Sequence, residues 1–349
     1  MAEMKKALSF YKGKKVFVTG HNGFKGSWMC KVLSDIGADV CGFSLPWEDI
    51  SPYKAMGLRN VRSIEGDVCD TDDVASAMLS FDPDVVIHMA AQALVLASYK
   101  DPVLTYRTNV MGTVNVLDAV RKCKSAISVV NVTTDKVYRN MERREGYRED
   151  EVLDGHDPYS NSKSCSELVT AAYKRSFLDD IPVSTCRAGN VIGGGDRSKD
   201  RIIPDCVRAA ERGDAIILRN PGSVRPYQHV LEPVCAYLLL AAEQAKDRRY
   251  EGCYNIGPED ESSVTTQRIA ELFCENWKGA TWNAPGGLTG PHEAGLLRLN
   301  CDKFKGTFKW RPRWNIGEAV KRTVEWYRAE NDGKDMAKFT AEQIKDHLK

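Results

Sequence analysis

Short apolar runs alternate with longer amphipathic stretches through the first half of the chain. Val16-Phe17-Val18-Thr19 is apolar on both faces, as a buried parallel strand must be. Gly20 to Gly26 follows, then a helical pattern to about Ile36 with Gly37 as its C-cap, then a strand from Asp39 to Phe43. The alternation continues with a strand from Arg62 to Gly66, a helix from Thr71 to Ser80 and a strand from Asp84 to Met89. A long helix capped by Asp101-Pro102 runs to about Cys123, and strands follow at Ile127 to Val132 and Val183 to Arg187. Strand–helix alternation of this kind predicts an α/β fold with a doubly wound parallel sheet.

Beyond Arg187 the pattern loosens. Gly193 to Gly195 reads as a mobile connection, followed by a helix over Arg201 to Arg212 and a short strand over Ala215 to Leu218. Gln228 to Gln244 is mostly apolar and returns to pack on the sheet. A strand at Tyr254 to Gly257 and helices at Thr265 to Trp277 and Gly317 to Asn331 complete a smaller, mixed α/β cap. The predicted division is 8–190 plus 228–255 for the sheet domain and 191–227 plus 256–330 for the cap. Residues 331–349 read as a charged tail that frays.

The chemistry gathers where strands end, because open parallel sheets bind ligands beyond their carboxyl edge. Gly20, Gly23 and Gly26 lie between a strand and a helix, the context of a Rossmann-type dinucleotide loop. Gly20 serves the turn, Gly23 the approach of a pyrophosphate, and Gly26 the packing of helix on strand. No acid stands at the end of the second strand for a ribose, and no arginine for a 2′-phosphate. Ser44 is the available ribose contact, and NAD is the favoured dinucleotide. Asp67 is placed to meet an adenine, while Ala90-Ala91-Gln92 lets the chain pass close to a cofactor. His88 reads as a satisfied core histidine. Thr134, Asp135 and Lys136 leave the fifth strand at the same edge. Tyr159 and Lys163 share one helix face, where a lysine ammonium lowers a phenol pKa from its ordinary value of roughly 10. Such a pair accepts an alcohol proton while hydride leaves the same carbon. In the cap, Arg219 and Arg225 match the diphosphate of a nucleotide-linked substrate.

The 349 residues carry a formal net charge of +1, with no basic block or acidic tail, which argues against nucleic-acid or membrane partners. The 11 cysteines form no C-x-x-C, so free thiols in a reducing cytoplasm explain them better than disulfides or zinc. No metal site, signal peptide or transmembrane stretch is read from the sequence.

With these motifs in view, the chain resembles the extended short-chain dehydrogenase/reductase superfamily, and within it the CDP-D-glucose 4,6-dehydratases. The resemblance runs from about Gly13 to Tyr327. It is carried by Thr19 to Trp28, Thr108 to Asn115, Asp157 to Lys163, Arg187 to Asp196, Arg225 to Pro233 and Pro291 to Ala294. Asp135-Lys136 is its most specific part, since most nucleotide-sugar 4,6-dehydratases have Asp-Glu there. Ala93, Leu96 and Gly295 depart from that group's usual residues.

The resemblance implies an enzyme, a hydro-lyase, that converts CDP-D-glucose or a related nucleotide sugar to the 4-keto-6-deoxy sugar with tightly held NAD. Thr134 would bind the C4 oxygen, Tyr159 with Lys163 would act as base there, Lys136 would take the C5 hydrogen, and Asp135 would protonate the leaving C6 hydroxyl. Asn22, Phe24, Lys25, Val68, Asn109 and Thr133 would join the cofactor residues. Gln92, Asn190, Arg201, Arg219, Arg225 and His292 would hold the substrate. The resemblance also implies a homodimer or dimer of dimers through the 101–123 and 158–177 helices. The rival reading is a 4-epimerase, which needs no Asp135-Lys136 pair; a dinucleotide-binding scaffold without catalysis is disfavoured by the intact Thr134, Tyr159 and Lys163 set.

Overall fold

In the computed structural model, which describes residues 2–46, 51–286 and 296–349, the apolar runs form one seven-stranded sheet. Its strands are β1 (Lys15–Thr19), β2 (Asp39–Ser44), β3 (Arg62–Glu65), β4 (Val85–His88), β5 (Ser128–Val132), β6 (Val183–Ala188) and β7 (Cys253–Ile256). The spatial order is β7-β6-β5-β4-β1-β2-β3, and every neighbouring pair is parallel. This is the doubly wound Rossmann-type order, in which direction reverses beside β1 and opens a crevice at the carboxyl edge.

Period-two alternation sorts each strand between two apolar layers. Val16 and Val18 join one cluster with Trp28, Val234 and Leu238, whereas Phe17 joins the other with Val74, Val116 and Val183. The first cluster continues without a break into the cap through Ile203, Phe273 and Trp326. Outside the main sheet the described residues form short two-stranded ladders, Val191–Ile192 with Gln228–His229, Val224–Pro226 with Ser263–Thr265, and Ile216–Ile217 with Trp282–Asn283. The helices Ile202–Arg212, Thr266–Asn276 and Ile316–Asn331 pack around them. Among the described residues no helix is long and apolar enough to cross a membrane.

Three expectations change. The 101–123 helix is interrupted by a π-turn, Arg107–Met111, between Pro102–Tyr106 and Gly112–Val120. Gly193 to Gly195 is a packing surface, not a mobile connection. A methyl on Gly194 would lie 2.0 Å from the Trp326 ring, and the Gly194 carbonyl accepts from Trp28 Nε1 at 2.9 Å. The chain's end does not fray: Met336–His347 is a helix whose Met336, Thr340, Ile344 and His347 are buried. Those positions recur at i, i+4, i+8 and i+11, one helical face.

His347 closes this face. Its Nε2 lies 3.0 Å from Glu232 Oε1, and both side chains are buried. Glu232 also accepts from the backbone N–H of Arg313 and Trp314. Burial favours neutral His347, but the Glu232 carboxylate outweighs it and holds the imidazole pKa up to about 10. A folded-state pKa above the ordinary 6.5 means stabilisation that is full below about pH 6.5 and lost as pH rises through 10. Stability measured by denaturant unfolding is expected to fall between pH 7 and pH 10. His347→Gln is expected to flatten that dependence while lowering stability at pH 7 by about 3–5 kcal/mol, the usual loss on breaking a buried pair.

Candidate active site

The glycine loop meets the sheet edge by direct backbone contact. Gly20 has φ +72°, and a methyl there would come 2.8 Å from the Ala90 nitrogen at the end of β4. A methyl on Gly26 would come 2.0 Å from the Gly20 carbonyl. The Phe24–Asp35 helix starts at Gly23, which offers no side-chain cap. Asp70, Asp101 and Asp157 do cap their helices. An uncapped N-terminus of this length, beside an exposed glycine, is a cradle for a pyrophosphate.

Each strand exit is clamped by side chains. Thr19 Oγ1 accepts from the Met89 and Ala90 N–H groups at 3.1 Å each, so its own proton goes to His88 Nδ1 at 2.7 Å. His88 therefore carries its proton on Nε2, toward Thr113 Oγ1 at 3.3 Å. Burial, aided by the charge of Lys163, pushes its pKa down to about 3 and keeps it neutral, the satisfied core histidine expected. Asn109 is buried, accepts from the Gln92 N–H, and donates to the Gln92 carbonyl and Ser162 Oγ. Gln92 spends its own amide on Thr105 and the Leu94 N–H. Asn109 thus fixes the 90–92 exit from inside the protein.

Asp157 caps the Pro158–Phe177 helix and places Tyr159 and Lys163 beneath the ends of β5 and β6. Thr134, Asp135 and Lys136 leave β5 through a short 3-10 turn. Lys136 Nζ lies 2.9 Å from Asp135 Oδ1 and 3.4 Å from Asn190 Oδ1. Thr134 Oγ1 donates to the same Asp135 oxygen at 3.0 Å. Asp135 is 0% exposed, and its Oδ2 has no hydrogen-bond partner among the described residues. A buried carboxylate oxygen left open beside a lysine and a tyrosine has capacity for a ligand.

The electrostatics differ from the expectation for Tyr159. Burial raises its pKa, and the groups that pull it back are Lys136, the Thr134 hydroxyl and Arg201 rather than Lys163. Lys163 gives its ammonium to the Val132 carbonyl at 3.1 Å. Its own pKa falls to about 7, first through burial and then through the charge of Lys25, against the upward pull of Glu167. Lys25 in turn is drawn down to about 8 by burial and Arg201.

The other expected residues divide. Arg201 reaches the cluster electrostatically while pairing with Asp196 at 3.1 Å. Arg225 is buried, with Nη1 on the Val224 carbonyl. Arg219 pairs with Asp200 on the surface, 45% exposed, and is not part of the cluster. Ser44 gives its hydroxyl contact to His21 Nδ1 at 2.8 Å, Asn22 donates to the Leu45 carbonyl, and Asp67 accepts from the Cys69 N–H. Val68 packs against Gly112, and Phe24 lies next to Gly193. His292 and Gly295 lie outside the described residues. Among the described residues no cluster of potential metal ligands occurs.

Sequence reasoning passed over His21 and the Glu167–Arg187 pair. His21 also meets Ser63 Oγ at 2.8 Å, and Gly42 leaves room for its ring. Glu167 lies one turn beyond Lys163 on the same helix face, a spacing that was visible.

The chain belongs to the NAD dependent epimerase/dehydratase family, whose pattern matches residues 16–257. It is 42% identical to a CDP-glucose 4,6-dehydratase of Salmonella typhimurium, over 97% of this chain and 98% of that relative. The crystal structure of Thermus thermophilus UDP-glucose 4-epimerase in complex with NAD superposes with a TM-score of 0.78 at 25% identity, covering 90% of this chain and 99% of that one. The Bacillus anthracis dTDP-glucose 4,6-dehydratase structure, at 23% identity, shares the fold with a TM-score of 0.77, covering 93% and 100%.

The uncapped helix and the close-packed glycine loop fit the dinucleotide of this family. Gly26→Ala must force the loop off the Gly20 carbonyl. The variant is expected to purify with less than about a tenth of the parent's bound nicotinamide dinucleotide, measured by chromatography of the material released on denaturation.

Proposed function

We propose that the chain is an NAD-dependent nucleotide-sugar 4,6-dehydratase, a hydro-lyase that converts CDP-D-glucose to CDP-4-keto-6-deoxy-D-glucose and water. The observation that carries this reading is the 2.9 Å contact between buried Asp135 and part-exposed Lys136, next to Tyr159 at the sheet edge. An epimerase has no use for such an acid–base pair. The 42% identity to a CDP-glucose 4,6-dehydratase supports the same choice of substrate.

Bound NAD would supply the acceptor for hydride from C4 and its return to C6. Gly20, Asn22, Gly23, Phe24, Lys25 and Gly26 would line its pyrophosphate side, with Ser44, Asp67 and Val68 toward the adenosine. Ala90, Ala91 and Gln92 would flank the nicotinamide side, with Asn109 and Thr133, whose hydroxyl is given to Glu167, as their support. Tyr159 would take the C4 hydroxyl proton, its phenol raised by burial and drawn back down by Lys136 and the Thr134 hydroxyl, with Lys163 one turn along the same helix face. Oxidation at C4 acidifies the C5 hydrogen, which Lys136 removes. The C6 hydroxyl leaves as water with a proton from Asp135, and Lys136 gives its proton back to C5 to complete the 6-deoxy sugar. One proton moved along the 2.9 Å Lys136–Asp135 contact leaves a neutral amine and a neutral carboxyl, the states a base and an acid require. Gln92, Asn190, Arg201 and Arg225 would face the sugar nucleotide, with Arg219 at the rim.

Incubation with a panel of CDP-, dTDP-, GDP- and UDP-hexoses is expected to show loss of one water from CDP-glucose by mass spectrometry. Retention of substrate mass, with a changed sugar configuration, would instead mark an epimerase. Asp135→Asn combined with Lys136→Ala is expected to lower product formation by roughly 10²–10⁴-fold, and turnover at the parent rate would remove both residues from the reaction.

Self-association is part of this proposal. Val103, Leu104, Met111, Leu168 and Phe177 are exposed on the two helical stretches expected to pair. Light scattering is expected to give a dimer or tetramer mass, and Leu104→Glu with Leu168→Glu to shift it toward the monomer. A reducing cytoplasmic setting fits the 11 cysteines, all unpaired.

A further inference from the structure

One buried ion pair touches both ends of the segment that carries Thr134, Asp135 and Lys136. Glu167 and Arg187 are 3% and 2% exposed. Glu167 Oε1 accepts from Thr133 Oγ1 at 2.5 Å and from Arg187 Nε at 2.9 Å. Its Oε2 accepts from Thr185 Oγ1 at 2.6 Å and from Arg187 Nη2 at 2.9 Å. The remaining nitrogen, Arg187 Nη1, donates to Tyr138 Oη at 2.7 Å and to the Glu149 carbonyl at 2.9 Å. Tyr138 passes its own proton to Asn255 Oδ1 at 2.7 Å. Thr133 immediately precedes Thr134, and Tyr138 immediately follows the Asp135–Val137 turn.

Burying this pair is not an efficient route to stability. Apolar residues of similar volume are often neutral or better at such a place. What a saturated pair gives that a leucine cannot is direction: each polar atom admits one arrangement of its neighbours. Here those neighbours are the two residues that bracket the acid and the base. Tyr159 and Lys163 are placed by the Asp157 cap and the Val132 carbonyl, neither of which uses the Thr133 or Tyr138 hydroxyl.

We infer that Glu167 and Arg187 are positioning residues for the elimination half of the reaction, acting through Thr133 and Tyr138 to aim Asp135 and Lys136 at the sugar. This rests on the dehydratase reading. Proton transfer between C5, Lys136, Asp135 and the departing C6 hydroxyl requires both groups on target, whereas oxidation at C4 requires Tyr159 and Lys163. Loosening the brackets therefore slows the second half and leaves the first.

Thr133→Val and Tyr138→Phe each remove one hydroxyl and leave the ion pair in place. Each is expected to lower kcat for water loss roughly tenfold and the double variant about a hundredfold, with KM within about twofold of the parent. On addition of CDP-glucose the variants are expected to build up the near-ultraviolet absorbance of reduced nicotinamide in the steady state, beyond that of the parent. Hydrogen–deuterium exchange is expected to quicken at residues 134–138 with the melting temperature nearly unchanged. Thr133→Ser, which restores the hydroxyl, is expected to restore the parent pattern. Turnover at the parent rate, or a joint loss of kcat, KM and melting temperature without the absorbance, overturns the inference. If the double variant does not fold, the single variants decide by the same readouts. A parent that removes no water from any sugar nucleotide overturns the dehydratase reading and this inference with it. A parent that dehydrates, with variants that accumulate nothing, overturns this inference alone.

Discussion

A parallel sheet covered on both faces can present polar side chains to a ligand only where its strands end, and there each polar group needs a partner of its own. That constraint organises this molecule. At the end of β1, Thr19 satisfies two N–H groups of the next exit and is itself satisfied by neutral His88. At the end of β4, buried Asn109 takes both backbone groups of Gln92. At the end of β5, Thr133 is taken by Glu167 from the neighbouring helix. Residues of the covering helices thus hold the loops that carry the chemistry. The loops are polar and short, and they are placed by contacts that water cannot replace once the helices are packed.

The same logic extends to the far side of the sheet. The helix Leu231–Lys246 packs against β5, and at its first turn Glu232 gathers two backbone N–H groups and the imidazole of His347. A carboxylate with no exposure has no other way to be tolerated. The chain's last helix is therefore joined to the residues that follow Gln228–His229, and that short strand pairs with Val191–Ile192 beside Asn190. A charged terminal segment and the rim of the site are consequently parts of one packed unit, although they lie far apart in sequence.

How much of this was legible follows from range. Strands β1, β2, β4, β5 and β6 were readable because a buried parallel strand has a local signature, four to six mostly apolar residues between turns, whereas β3, polar and largely exposed, was readable from its place in the alternation. Gly20, Gly26 and the Tyr159–Lys163 pair were readable because their geometry is set within one loop or one helical turn. Gly193 to Gly195 was not, because the neighbours that crowd them come from elsewhere in the chain: Val230 and Phe24 at Gly193, Trp326 at Gly194 and Pro52 at Gly195. The terminal helix was misread from its charge, while the buried stripe from Met336 to His347 was present in the same residues. The π-turn at Arg107–Met111 has no local sequence mark that distinguishes it from a regular helix. The direction of the Tyr159 shift depends on burial by the completed fold, which spacing alone does not reveal.

The charges of the site make sense only with an anion in view. Lys25 and Lys136 face Asp135, Arg201 acts on Tyr159 beside it while pairing with Asp196, and Lys163 lies on the Val132 carbonyl, while buried Glu167 is committed to Arg187. Burial and mutual repulsion draw Lys25 down to about 8 and Lys163 to about 7, so near neutral pH part of the surplus charge is shed as protons. An entering diphosphate favours the charged amines and draws those protons back. On the proposed reading the glycine loop would offer one place for such a group and Arg225 another. The Lys136–Asp135 contact is internally neutral, so a proton moved between its partners leaves the net charge of the site unchanged. On the proposed reading, an acid and a base on consecutive residues and in contact would share a proton more readily than two groups placed apart, each needing its own counterion.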